Sequence, residues 1–117
     1  MKILLVEDTP LSALVASTLL KEAGHSVDIA ENGQMAISLV NTNSYDLIFM
    51  DIGLPDMTGF QVAKLIHGNY PDFKIIGLTA HGIDEYYREE SIKFNFLDII
   101  SKPLSKEYVE QLESLVK

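Results

Sequence analysis

Short apolar runs alternate with amphipathic stretches along the whole chain. Ile3-Leu4-Leu5-Val6, Leu47-Ile48-Phe49-Met50 and Ile75-Ile76-Gly77-Leu78 are apolar throughout, the pattern of strands whose sheet is covered on both faces. Val27 to Ala30 and Phe96 to Ile100 read as two further strands, each interrupted by an aspartate, Asp28 and Asp98. Helical spacing fills the intervals. Leu11, Leu14, Val15, Thr18 and Leu19 follow Thr9-Pro10, a hydroxyl N-cap with proline at the first helical position, and Gly24 supplies the stop. Gly33 to Val40 carries Met35, Ala36, Leu39 and Val40 on one face. Thr58 is placed to cap a third helix bearing Val62, Ala63, Leu65 and Ile66. The next helix, from about Ile83 to Ile92, has a thin apolar face of Ile83, Tyr86 and Tyr87 diluted by five charged residues. Ser105 is placed to cap the last helix, with Leu104 and Val109 as a hydrophobic staple and Tyr108, Val109, Leu112, Leu115 and Val116 as its stripe.

Five alternations of strand and helix predict an α/β domain with a five-stranded parallel sheet. The interrupted second and fifth strands belong at the sheet edges, which fits the flavodoxin-like doubly wound order 2-1-3-4-5, although spacing alone does not single out that order. Residues 1–117 read as a single domain: 47% hydrophobic residues supply one core, and the length leaves no room for a second. Cysteine is absent, which removes disulfides, thiolate metal sites and thiol nucleophiles. The net charge of -8 disfavours direct binding to nucleic acid, whose phosphates reward a basic face. No apolar run approaches a membrane span and no signal peptide is read at the N-terminus, so a cytoplasmic location is expected.

The chemistry sits where the strands stop. The first run leads into Glu7-Asp8, the third strand into Asp51, the fourth into Thr79, and the fifth, after Ser101, into Lys102. In an open parallel sheet the crevice beyond the carboxyl ends of the strands is where ligands bind. Three carboxylates, a hydroxyl and an ammonium gathered there suit a divalent cation and a phosphoryl group. Each residue also has a plainer reading: Asp51 as a turn cap, Glu7-Asp8 as an acidic flank to the first helix, Thr79 bonded to a nearby backbone group, Lys102 as a surface cation. The three histidines, His25, His67 and His81, lack metal-site spacing and read as surface or loop residues.

Taken in order, Glu7-Asp8, Asp51 with the turn-rich segment through Pro55-Asp56-Met57-Thr58-Gly59, Leu78-Thr79-Ala80 and Lys102-Pro103 resemble a response-regulator receiver domain of two-component and phosphorelay signalling, over essentially the full length. The long Pro55-to-Gly59 loop and Leu78-Thr79-Ala80-His81 look most like receivers that serve hybrid sensor kinases. The resemblance implies that Asp51 is the phosphoacceptor and that Mg2+ is held by Asp8, Asp51 and the Gly53 carbonyl, with Glu7 acting through water. It implies that Thr79 donates to phosphoryl oxygens and that Lys102 pairs with Asp51 and later with the phosphoryl group, ahead of a cis Lys102-Pro103 bond. It implies that His81 borders the site, and that the partner is a histidine kinase or histidine phosphotransfer domain. The output surface would be the fourth helix, fifth strand and last helix. Two departures stand out. Ile99 occupies the place of a usual aromatic, and Asn95 that of a common glycine. Three rival readings make different demands on the sequence. A flavin-binding relative would need a phosphate-cradling loop where Glu7-Asp8 stands. An aspartyl phosphatase would need a second aspartate where Pro10 stands. A receiver that no longer accepts phosphate, serving as a scaffold, is suggested only by Ile99.

Overall fold

The computed structural model describes residues 1–116; Lys117, the last residue of the expected domain, lies outside them. Five parallel strands, β1 (Lys2–Val6), β2 (Ser26–Ala30), β3 (Leu47–Asp51), β4 (Ile75–Thr79) and β5 (Asp98–Ser101), form one sheet in the order β2-β1-β3-β4-β5. The helices are α1 (Pro10–Glu22), α2 (Gly33–Thr42), α3 (Gly59–Asn69), α4 (Glu85–Lys93), α5 (Lys106–Glu110) and α6 (Leu112–Val116). The expected order is therefore the observed one, with the two aspartate-bearing strands at the edges. The central strands β1, β3 and β4 are buried almost end to end, and their side chains divide between two cores. One, around Leu5, Leu20, Phe49 and Leu112, lies under α1, α5 and α6. The other, around Leu4, Val40, Met50 and Ile66, lies under α2 and α3.

Each edge aspartate has a phenol to hold it. Tyr45 Oη donates to Asp28 Oδ2 at 2.7 Å, and Tyr108 Oη donates to Asp98 Oδ2 at 2.6 Å. Burial first, and then the aspartate, pushes both hydroxyls above the ordinary phenol range. A raised folded-state pKa means that this contribution to stability is present below the unfolded phenol value and is lost as pH rises through the folded one. Tyr45→Phe, which strips Asp28 of its donor, is expected to cost about 1 to 2 kcal/mol in urea unfolding at neutral pH. The gap between variant and wild type should close at strongly alkaline pH.

Several local expectations are revised. The buried face of α1 is Ala13, Ala16, Ser17 and Leu20, whereas Leu11, Leu14 and Val15 are 69%, 62% and 50% exposed. Small residues and Leu20 lie on the sheet, Leu11 and Leu14 of the expected stripe are turned outward, and Leu19 packs partly against the core. Thr9 occupies the N-cap position of α1 but its side chain makes no capping bond; Pro10 follows at the first turn as expected. Leu65 and Met35 likewise face out. The last helix is two, broken at Gln111, yet Val109, Leu112 and Val116 stay buried, because the break preserves the phase of the stripe. Thr58 and Ser105 do cap, and Thr58 N–H donates in return to Gln61 Oε1. Asn95 has φ +60, a left-handed conformation that asparagine tolerates better than most residues.

Candidate functional site

Strand register decides what meets at the carboxyl edge. Val6 pairs with Met50, so Glu7 follows β1 where Asp51 ends β3; Asp51 pairs with Leu78, and Thr79 with Ser101, which sets Lys102 just beyond. Glu7, Asp8 and Asp51 each place a carboxylate oxygen within 4.8 Å of the others. Glu7 and Asp51 are 2% and 4% exposed, while Asp8 is open to solvent. Lys102 Nζ lies 2.7 Å from Glu7 Oε2 and 3.0 Å from Asp51 Oδ2, one ammonium shared by two buried carboxylates. The Lys102-Pro103 bond is cis, as expected.

The backbone finishes the positioning. Gly53 N–H donates to Asp51 Oδ1 at 3.0 Å, so the two oxygens of Asp51 have different partners, an amide and an ammonium. Thr9 N–H donates to Glu7 Oε1 at 3.2 Å. Thr79, 2% exposed, accepts at Oγ1 from His81 N–H at 3.1 Å, which leaves its hydroxyl proton to donate elsewhere. Gly53 also pairs with Thr58 across a short antiparallel bridge, folding the β3–α3 loop back toward Asp51.

The charges do not balance. Burial, more than any other cause, raises the Glu7 carboxyl above the usual carboxylate range; Lys102 opposes the shift and Asp51 reinforces it. At Lys102 burial favours the neutral amine, but the hydrogen bonds and charges of Glu7 and Asp51 outweigh it and hold the ammonium above the ordinary lysine value. Three carboxylates against one ammonium leave a surplus of negative charge at the mouth of a cleft of about 690 Å3. The donors converging there are all oxygen, the set a hard cation such as Mg2+ prefers and one lacking the nitrogen and sulfur that softer metals select.

Every residue expected from the sequence to act here is thus at this edge: Glu7, Asp8, Asp51, Gly53, Thr79 and Lys102. His81 lines the cleft beside Thr79. His25 is in a loop, yet it is buried, with Nδ1 3.0 Å from the Met1 amine. His67 is half-buried, its ring nitrogens facing the carbonyls of Phe94 and Phe73 at 3.2 and 2.8 Å. Ile99 is buried with Ile52 and Phe60 in a third apolar cluster. What sequence reading missed is the aromatic wall of the cleft. Phe60 on α3 meets Phe96, Phe94 and Tyr87 at ring-centroid distances of 5.3, 5.8 and 6.3 Å. Gly77 makes room for Phe96, which packs on Phe60 without itself lining the cleft, since a Cβ on Gly77 would come 2.9 Å from its ring. The only hint in the sequence was a glycine within an otherwise bulky strand.

Comparison with known proteins agrees with this geometry. The response regulator receiver domain profile matches residues 3–113. The aerobic respiration control sensor protein ArcB of Escherichia coli (strain K12) is 35% identical over 120 residues, covering 100% of this chain and 15% of ArcB. The transcriptional regulatory protein CusR of the same strain is 35% identical over 105 residues, covering 90% of this chain and 46% of CusR. The chain therefore spans only a small part of the length of the sensor proteins it matches. Among solved structures, the response regulator protein TrrA from Thermotoga maritima, in complex with Mg(2+)-BeF, superposes with a TM-score of 0.85 at 32% identity over 97% of each chain. A two-component response regulator from Clostridium difficile superposes with a TM-score of 0.90 at 28% identity, covering 99% of this chain and 94% of the other.

Proposed function

Because this chain belongs to the response regulator receiver family, the receiver domains of two-component signalling, we propose that Asp51 is the residue that accepts the phosphoryl group and that residues 1–117 work as one switch domain. One observation carries the reading: three strand-end carboxylates converge within 4.8 Å of one another while a single ammonium bridges two of them. Asp8, Asp51 and the Gly53 carbonyl would hold Mg2+, with Glu7 reaching it through water. When bound, the cation neutralises the carboxylates and the incoming phosphoryl oxygens.

The chain's own groups do the rest. An oxygen of Asp51 attacks phosphorus of a phosphohistidine on a histidine kinase or histidine phosphotransfer domain. The O–P bond forms as the P–N bond breaks, and the imidazole leaves with the electron pair and takes up a proton. Lys102 exchanges its contact with Asp51 for a phosphoryl oxygen, and the free hydroxyl proton of Thr79 is donated to another. Gly53 and Ala80 are small and keep the approach open. On this reading the domain works in the cytoplasm, where nucleotide-dependent kinases make phosphohistidine. Its negative charge turns direct nucleic-acid contact away.

The acyl phosphate then biases two nearby conformations of the α4–β5–α5 surface. In α4 only Ser91 is buried, so little packing opposes its movement. The test is incubation with magnesium and a small acyl-phosphate donor, followed by peptide mass mapping. One phosphoryl group on the peptide holding Asp51, lost when a chelator is present, is the expected result. Label on another peptide, or none at all, overturns the assignment.

A further inference from the structure

The loop between β3 and α3 carries the Gly53 carbonyl, and one of its side chains points away from the site. Asp56 Oδ1 accepts from Gly33 N–H at 2.9 Å, and Asp56 Oδ2 accepts from Gln34 N–H at 3.0 Å. These are the first two amides of α2. The next, Met35 N–H, donates to Asn32 Oδ1 at 2.8 Å, and Ala36 N–H donates to the Asn32 carbonyl at 3.1 Å. Ala36 N–H thus makes the first bond within the helix, and the three helical amides before it are capped by side chains, two of them by a residue from a different loop. No acidic residue stands in the first turn of α2, so Asp56 supplies the negative charge that the positive end of the helix favours. The seat is tight as well as polar. A Cβ on Gly33 would come 2.7 Å from Val62 Cγ2 and 2.8 Å from Met57 Cγ, the residue beside Asp56.

The inner end of the same loop is fixed on the site. Gly53 N–H donates to Asp51 Oδ1, Gly53 bridges to Thr58, and Gly59 N–H donates to the Ile52 carbonyl at 2.9 Å. The loop is thus held at its root by the strand it leaves and at its middle by Asp56, whose carboxylate hydrogen-bonds the start of α2, with Met57 packed beside it against Gly33. We propose that Asp56 is a positioning residue for the cation site: by tying the middle of the loop to the start of α2, it fixes the Gly53 carbonyl and the Gly53–Asp51 hydrogen bond in the arrangement that takes up a divalent cation. This rests on the phosphoacceptor reading above.

Asn32 separates positioning from mere helix capping. It caps the same helix end through Met35 and has no hydrogen bond to the loop. Magnesium is titrated calorimetrically into wild type, Asp56→Ala, Asp56→Asn and Asn32→Ala. Urea unfolding is run alongside to compare the cost of each lost cap. Asp56→Ala is expected to weaken magnesium binding roughly tenfold, the usual scale for removing a group that orients a ligand. Asp56→Asn, whose amide keeps one acceptor oxygen, should fall between, and Asn32→Ala should stay within about twofold of wild type. Labelling of Asp56→Ala by an acyl phosphate should be slow at low magnesium and recover at saturating magnesium. Equal weakening in Asp56→Ala and Asn32→Ala overturns the proposal, as does unchanged affinity in Asp56→Ala while wild type binds and labels. A wild type that takes up neither magnesium nor label instead removes the phosphoacceptor reading, and this inference falls with it.

Discussion

Asp51→Asn is expected to abolish Mg2+-dependent labelling by an acyl phosphate, a loss of at least about a hundredfold in initial rate, down to the background of other surface groups. Two effects act together. An amide is not a nucleophile toward phosphorus, so the covalent step has no acceptor. The substitution also removes one of the three carboxylates that meet within 4.8 Å, so the site attracts a divalent cation less strongly. The fold should survive. Gly53 N–H retains an oxygen to bond, and Lys102 keeps Glu7 at 2.7 Å as a partner. Removing a charge from a crowded buried cluster relieves repulsion on Glu7, whose carboxyl Asp51 helps to push upward. The measurement is phosphoprotein formation by intact mass, with unfolding midpoints recorded in parallel. A folded variant labelled as fast as wild type would refute the role given to Asp51.

Gly59→Ala is expected to be the most damaging single methyl in the chain. A Cβ at this position would lie 2.4 Å from the Asp51 carbonyl oxygen and 2.9 Å from Ile52 Cα. Both obstacles are backbone, so no rotamer change relieves them. The start of α3 must move off the end of β3, which opens the core at Met50 and pulls at the strand residue that bears the acceptor carboxylate. A cost of about 3 kcal/mol is expected, at the upper end for overpacking. In a domain of this size that corresponds to a thermal midpoint lower by roughly 10 to 15 °C. Gly68, where nothing lies within 4 Å of a built Cβ, is the control. Gly68→Ala should unfold within about 1 kcal/mol of wild type. If the two variants unfold alike, the close approach of α3 to β3 is not what the glycine secures.

The sheet was legible because its signals are short and strong. Unbroken apolar runs marked β1, β3 and β4 as central, and one aspartate in each of two other runs marked β2 and β5 as edges. The site was legible for a related reason. A residue that ends a strand is positioned by that strand, so register alone brings Glu7, Asp51, Thr79 and Lys102 together without detailed knowledge of packing. Helix faces were read less well. Spacing gave α1 the right period, but the buried face went to Ala13, Ala16, Ser17 and Leu20, which fit the sheet, and not to Leu11, Leu14 and Val15. The break at Gln111 left no mark because the buried stripe continues through it. Asp56 looked like one more turn residue. Its hydrogen bonds reach 23 and 22 positions back along the chain, a pairing that local pattern cannot reveal. The aromatic wall was hidden in the same way, assembled from α3, α4 and the approach to β5.

The paired phenol and carboxylate at each margin of the sheet bear on how molecules of this chain meet one another. Asp28 and Asp98 sit on the outermost strands, where unpaired amides and carbonyls invite an extended segment from a neighbour to join. An intruding strand would have to cover an anion already committed to its own tyrosine, on a chain whose charge is -8 and which repels its copies at a distance. Both rims thus discourage the growth of the sheet past five strands, a guard against fibrous aggregation written into the outer strands themselves.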